Sequence, residues 1–213
     1  RLRQIPWWDV EKLRASTVMV VGAGALGNEV LKNLALVGVG RLLVIDYDQV
    51  EPSNLSRSIL YRRRDCGRAK AEVAAESLRD IDPDLLVEPL IADVATEVGW
   101  GWFRDCDLVI SCLDNREARL WVNRVCWQAT RPWIDGAIQE LNGVVKVFRP
   151  PQSACYECGM TDMDYQLLSL RQGCGTIPEV DPGLHAIPTT PTIASDRKST
   201  RLNSSHITIS YAV

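Results

Sequence analysis

Histidine is scarce in this 213-residue chain: there are two, His185 and His206, and neither stands near a recognisable motif. That inventory leaves a Ser-His-Asp hydrolase without a plausible base. Strong charge of either sign is missing too, and the formal net charge of -3 gives no overall attraction to nucleic acid or to an anionic membrane surface. No stretch approaches the roughly 18 apolar residues of a membrane span. The opening "RLRQIPWW" lacks the apolar segment and small-residue cleavage site of a secretory signal. Seven cysteines, an odd number at irregular spacing, do not suit a disulfide framework. They fit a reducing compartment, so a cytoplasmic protein is expected. What is present, 46% hydrophobic and 24% charged residues, suits one globular domain with a substantial core.

Along the chain, residues 8–16 have helical spacing, and the β-branched run Thr17-Val18-Met19-Val20-Val21 reads as a short buried parallel strand ended by Gly22. From 25 to 37 the apolar residues Leu26, Val30, Leu31, Leu34 and Val37 recur at three- and four-residue steps, and 41–45 reads as a second strand. Residues 68–78 are predicted helical, 85–91 strand-like, 108–110 a short buried strand, 117–129 helical and 133–135 another strand. This alternation predicts an α/β, Rossmann-like, doubly wound and mostly parallel sheet with helices on both faces. Residues 143–148 alternate as an antiparallel addition would. Past Pro150 the chain is rich in Pro, Gly, Thr and Asp, with only 165–170 looking helical, which predicts a long C-terminal crossover loop across the domain. The stretch 196–213, "DRKSTRLNSSHITISYAV", is rich in Ser and Thr without periodicity, and is expected to be a non-native or disordered tail outside the fold.

The first chemical feature is Gly22-Ala23-Gly24-Ala25-Leu26-Gly27, between a strand and a helix. Glycines there allow a tight turn and close backbone approach, so that helix N–H groups and the helix dipole can hold phosphate. Asp46 ends the next strand, where a carboxylate can accept hydrogen bonds from ribose hydroxyls. Nicotinamide dinucleotides and ATP both fit this much. A triphosphate adds negative charge that needs cations. Arg57 and Lys70 can converge on phosphates, and Asn54 adds a neutral donor. Asp114 in "SCLDN" follows a predicted strand at the carboxyl end of the sheet, where it would suit Mg2+. Taken singly, Arg57 and Lys70 also read as surface ion pairs, and Asp114 or Asn115 as a helix N-cap. Their joint occurrence favours a nucleotide site.

"GAGALG", "DYDQVEPSNLSR", "GRAKAE", "SCLDN" and "CYEC", in this order, resemble the ThiF/MoeB/HesA family of adenylyltransferases, relatives of the ubiquitin-activating enzymes. The resemblance covers about residues 1–195, taken as the ATP-binding adenylyltransferase domain and as C-terminally truncated relative to the family. It implies ATP-dependent adenylation of the C-terminal glycine carboxylate of a ubiquitin-like sulfur-carrier or modifier protein ending in Gly-Gly. By position it gives Gly22, Gly24 and Gly27 to the nucleotide loop, Asp46 to the ribose with Asp48 close by, Asn54, Arg57 and Lys70 to the phosphates, and Asp114 to Mg2+. Arg3 resembles an N-terminal arginine that reaches a partner subunit's active site, implying a homodimer. Cys174, in "RQGCGTIPE", lies roughly where relatives place a cysteine of thioester or persulfide chemistry, although a structural thiol fits the residue equally. No nucleic acid or membrane partner is implied.

Cys155-Tyr156-Glu157-Cys158 is read as half of a structural zinc site rather than a redox pair, because it does not open a helix after a strand. The family's zinc proteins supply a second such pair near the C-terminus, and none occurs in this sequence. Cys66, Cys106, Cys112 and Cys126 are expected to pack in or beside core elements. Two departures from the family pattern stand out: Ala25 where glycine is common, and Ser58 where glutamine usually follows the arginine. The alternatives are a nicotinamide-dependent oxidoreductase, which leaves Arg57, Lys70 and Asp114 without a role, and a non-catalytic binding subunit that keeps the fold.

Overall fold

In the computed structural model of the chain the described residues are 9–139, 142–162, 165 and 207–211. Stiff β-branched side chains make β1 (Thr17–Val21) the centre of the sheet, with four of its five residues buried. Val18 and Val20 enter one hydrophobic cluster while Met19 and Val21 enter another, so both faces of β1 are covered. α2 (Ala25–Val37) leads to β2 (Arg41–Ile45), and α3 (Lys70–Ile81) leads to β3 (Leu86–Leu90). Gly38, at φ 85°, ends α2 in the left-handed conformation and donates its N–H back to the last turn. α4 (Trp100–Arg104), β4 (Leu108–Ser111), α5 (Arg116–Gln128), β5 (Trp133–Gln139) and β6 (Asn142–Phe148) complete the body, preceded by the short α1 (Val10–Ala15).

Strand order is β3-β2-β1-β4-β5-β6-β7, with β1 to β5 mutually parallel and β6 antiparallel to β5. This is the doubly wound, mostly parallel sheet the alternation predicts. β7 (Ile207–Tyr211) runs parallel to β6 from Gly143↔Ile207 to Val147↔Tyr211, inside the stretch expected to stand outside the fold. The helix expected over 165–170 lies almost wholly outside the described residues. α2 and α3 cover one face through Leu31, Ala74 and Leu78. Phe103 of α4 and Val122 and Cys126 of α5 cover the other. No helix among the described residues is long and apolar enough to cross a membrane.

Register decides where chemistry can happen. Val21 pairs with Ile45 and with Ser111, so β1, β2 and β4 stop on one line and their following loops emerge side by side. The chain leaves β1 toward β2 and β3 on one side and continues as β4 and β5 on the other. The strand order therefore reverses between β1 and β4, the position at which α/β sheets form their ligand crevice.

Three of the differences from the periodicity have a clear physical reason. α4 is unforeseen because five residues are too few to show a helical repeat. β5 runs to Gln139 rather than 135, since its hairpin with β6 extends the ladder to Gln139↔Asn142 past Gly136. Gly136 looks like a strand breaker, yet a Cβ there would come within 2.8 Å of the Leu26 side chain, which shows how tightly β5 packs under α2. α1 occupies 10–15 rather than 8–16, and Asp9 caps it by accepting the Lys12 N–H at 2.9 Å.

Trp133 is fully buried and stacks on Phe148 at 4.5 Å between ring centroids. Trp133→Ala is expected to lower unfolding free energy by about 3–5 kcal/mol through the cavity it leaves. Urea denaturation reads this as a lower midpoint at unchanged slope; an unchanged midpoint would contradict the packing described.

Candidate functional site

The first wall of the crevice is the β1–α2 loop. Gly22 sits at φ +94°, and a Cβ on it would lie 2.7 Å from the Cys112 carbonyl oxygen, so side chains are excluded twice over. Gly27 carries the tighter constraint: its Cβ would fall 1.9 Å from the Gly22 carbonyl oxygen. The first turn of α2 thus rests on the loop that precedes it. Gly24 is different, because a Cβ there meets nothing within 4 Å. It caps α2 in extended conformation, in front of helix N–H groups that have no acceptor within the helix. Two of the three predicted glycines are therefore demanded by the protein's own packing, and the third borders open space at a helix N-terminus.

Asp46 begins the second wall. One carboxylate oxygen accepts the Ala23 N–H at 2.7 Å and the other accepts the Asp48 N–H at 2.8 Å. Burial raises its pKa, against the Ala23 hydrogen bond and the Lys70 charge, which lower it. The carboxylate ties the β1 and β2 loops together; a carboxylate has about four lone-pair positions, so acceptor capacity remains for hydroxyl donors. Asp48 pairs with Lys70: Nζ lies 2.6 Å from Oδ2, with the lysine side chain 10% exposed. The Lys70 N–H donates to the Asp48 carbonyl at 2.9 Å, and Val50 and Gly67 continue the zipper between these segments. Lys70 is thereby fixed at the first turn of α3, facing the Asp46–Asp48 corner.

Residues 51–57 form the third wall. Asn54 Oδ1 accepts the Glu51 N–H at 3.0 Å, so this side chain holds the short Pro52–Asn54 turn, where a phosphate donor was expected; its Nδ2 donates weakly to Ser53 at 3.5 Å. Arg57 donates to the Ser53 carbonyl at 3.1 Å, and among the described residues no carboxylate pairs with it. Asp114, on the β4–α5 loop, is exposed and accepts no hydrogen bond from the described residues. Asn115 instead caps α5, accepting the Ala118 N–H at 2.8 Å. Tyr47 stands among these groups: first Asp48 and burial, then Asp114, Asp93 and Asp46, push its hydroxyl pKa up.

The fold brings Gly22, Gly24, Gly27, Asp46, Asp48 and Lys70 to adjoining loops at one end of the sheet, with Asp114 across the crevice and Asn54 and Arg57 on the connected 51–57 segment. Arg3 and Cys174 lie outside the described residues. Cys155 and Cys158 sit apart, beside α5, with their sulfurs 3.5 Å apart. Burial would raise the Cys155 thiol, but hydrogen bonds involving Cys158, Glu157 and Asn123 outweigh it and lower its pKa. That spacing suits two ligands of one ion, yet among the described residues no group of three or more His, Cys, Asp or Glu side chains could hold a metal. Cys106 and Cys126 are buried as expected, while Cys66 and Cys112 are partly so. Desolvation pushes the Cys106 thiol up to about 11 and that of Cys112 to about 12.

Two side chains that motif reading passes over complete the site. Asn28 is wholly buried in α2, and Tyr61 is 3% exposed beneath the loop. The available signal was a polar residue on the stripe Asn28, Leu31, Ala35, at the three- and four-residue spacing of a core face.

The ThiF family pattern matches residues 1–195. This chain belongs to the ThiF family. It is 37% identical over 149 residues to SUMO-activating enzyme subunit 2 of Dictyostelium discoideum, an alignment covering 70% of this chain and 22% of that protein. It is 33% identical over 164 residues to ubiquitin-like modifier-activating enzyme 5 of Xenopus laevis, covering 70% and 41%. The chain therefore spans less than half the length of these relatives. Among solved structures it resembles Escherichia coli MccB determined with ATP, at TM-score 0.64 and 25% identity, covering 79% of this chain and 51% of MccB.

The glycines separate experimentally. Gly27→Ala is expected to destabilise the fold by about 1–3 kcal/mol, since backbone must shift to admit the methyl group. Gly24→Ala should cost less, about 0.5–1 kcal/mol, because glycine is the better N-cap and nothing is crowded. Denaturation of the two variants checks this, and equal midpoints would contradict the loop geometry.

Proposed function

We propose that this ThiF-family chain adenylates the C-terminal glycine carboxylate of a ubiquitin-like sulfur-carrier or modifier protein at the expense of ATP. What supports the reading is that the loops after β1, β2 and β4, which stop on one line, lead to the open helix N-terminus at Gly24, to the cations Arg57 and Lys70, and to Asp114, an exposed carboxylate without a partner among the described residues. A nicotinamide dinucleotide would use the first of these and leave the others idle. The relatives named above activate SUMO and other ubiquitin-like modifiers by their names, and MccB has been seen with ATP, which supports the same chemistry here.

Adenylation asks little of acid–base catalysis. A carboxylate is already nucleophilic at neutral pH, so the site has to position two anions and offset their repulsion. The N–H groups at the start of α2 and the guanidinium of Arg57 hold phosphate oxygens. Lys70 moves its ammonium from Asp48 to the triphosphate, and Asp46 accepts from the ribose with its free lone pairs. The partner's carboxylate attacks the α-phosphorus, the bond to the β-phosphate oxygen breaks, and acyl-adenylate and pyrophosphate result. Asp114 fits Mg2+, being an exposed oxygen donor with no competing partner among the described residues, and the bound cation would neutralise phosphate charge. Cys155 and Cys158 fit two thiolate ligands of Zn2+, and no third ligand stands beside them among the described residues. Arg3 reaching into the site of a second copy, and hence a homodimer, Cys174 in thioester or persulfide chemistry, and a cytoplasmic location belong to the same reading.

Calorimetry with ATP and Mg2+ tests the site. Asp114→Ala and Arg57→Ala should each weaken ATP by about ten- to hundred-fold, the worth of one charge-assisted contact. With a carrier ending in Gly-Gly, wild-type chain should exchange labelled pyrophosphate into ATP and both variants should lose that exchange. Retained affinity in both variants would refute the assignment, and ATP binding without exchange would favour a non-catalytic subunit.

A further inference from the structure

We infer that Asn28 and Tyr61 are positioning residues: one buried hydrogen-bond network turns the Ala23–Gly24 peptide toward the ligand and fixes the spacing between the three phosphate-binding segments. This rests on the nucleotide site proposed above and assigns function to two residues that touch no ligand. The Ala23 carbonyl accepts from the Tyr61 hydroxyl at 2.6 Å and from Asn28 Nδ2 at 2.7 Å. On its other side Ala23 donates its N–H to Asp46 at 2.7 Å. The residue is thus held through both of its backbone polar groups.

In a planar trans peptide the C=O and the following N–H point in opposite directions. A carbonyl drawn inward by two buried donors therefore leaves the Gly24 N–H directed outward. Gly24 is also where a Cβ would meet nothing within 4 Å, so the outward side is open space. The network sets a donor into the crevice before any ligand arrives, which is what preorganised anion binding requires.

The same two side chains reach the other segments. Asn28 Oδ1 accepts the Leu60 N–H at 2.9 Å, three residues beyond Arg57, while its Nδ2 also contacts the Gly24 carbonyl at 3.1 Å. With two carbonyls facing the nitrogen and one N–H facing the oxygen, the amide orientation follows from its surroundings. Tyr61 reaches the Lys70 carbonyl at 3.4 Å. Ser77 of α3 anchors Leu60 from the far side, donating to its carbonyl at 2.6 Å. Asn28 is 0% exposed and Tyr61 3%, and burial raises the Tyr61 pKa, so its hydroxyl stays a proton donor at all ordinary pH. Asn28 and Tyr61 thus both join the glycine loop to the arginine segment, and the Ser77 bond carries the link to α3, which begins at Lys70.

Tyr61→Phe removes one oxygen and keeps the packing, and Asn28→Ser is the second variant. Affinities for ATP with Mg2+ (calorimetry) and for adenosine (ligand-observed NMR) are compared at a temperature where circular dichroism shows every protein folded. The expected result is ATP weakened about five- to ten-fold in Tyr61→Phe, with adenosine changed less than about two-fold, because adenosine has no phosphate for the misaligned donors to miss. Asn28→Ser should show the same phosphate-selective loss. A merely structural role predicts a lower melting temperature with both affinities unchanged, and that result, or equal weakening of ATP and adenosine, overturns the inference. A folded wild-type chain without affinity for ATP overturns this inference and the proposed function together. ATP bound by wild type and equally well by both variants overturns the network alone.

Discussion

The site depends on the approach of Gly27 to the Gly22 carbonyl. With room for no atom beyond hydrogen between them, α2 begins almost on top of the strand-ending turn, and its N-terminus is carried to the line where β1, β2 and β4 stop. Larger side chains at either position would move the helix outward and uncouple its N–H groups from that line. Gly22 adds the second half of the constraint, since its left-handed conformation and the nearby Cys112 carbonyl bind the loop to β4 as well. A single tight turn thereby sets the height of both the helix and the Asp114 loop relative to the sheet.

The charges around this turn are arranged as a balance that a polyanion would shift. Lys70 is held by Asp48 in a pair that is largely buried on the lysine side and half exposed on the aspartate side. Attraction between them is strengthened by partial burial, while Asp48 keeps access to water if its partner leaves. Among the described residues Arg57 has only the Ser53 carbonyl, a neutral acceptor that binds a guanidinium more weakly than an anionic oxygen does. Asp46, by contrast, has both oxygens committed to backbone N–H groups, and its burial is tolerated because of them. Among these groups Lys70 is engaged by a carboxylate and Arg57 by a neutral carbonyl, while Asp46 and Asn54 hold the walls in place.

Much of this was legible in the sequence, for identifiable reasons. Apolar runs of four or five residues, separated by helical periodicity, specify a parallel sheet because strands covered on both faces lose the apolar–polar alternation. The glycine spacing, Asp46 at a strand end and the later cations point to the proposed site, since open α/β sheets hold ligands at the carboxyl ends of their strands. Motif spacing could not distinguish the steric glycines from Gly24, nor show that Asn54 spends its oxygen on its own turn. α4 escaped because a single turn carries no repeat. Asn28 and Tyr61 escaped because their significance lies in contacts 32 and 38 residues away along the chain, to Leu60 and Ala23 respectively.

The β4–α5 loop receives its own support from the opposite face of the sheet. Arg119, one turn into α5, donates to the Leu113 carbonyl and lies 3.1 Å from Asp135 of β5, both side chains being nearly buried. The Arg119 Nε and Asp135 Oδ1 thus meet as an ion pair. Burial raises the Asp135 pKa while Arg119 lowers it, as expected of a carboxylate that would be costly to leave ionised alone. An apolar pair of the same size could fill this space, but it could not offer a donor to the Leu113 carbonyl. The guanidinium thus ties the residue before Asp114 to β5, the Asn115 cap ties the residue after it to α5, and Asp114 between them keeps its carboxylate exposed. Fixing both neighbours of a side chain orients it without using its own polar atoms, and those atoms then remain available for a cation.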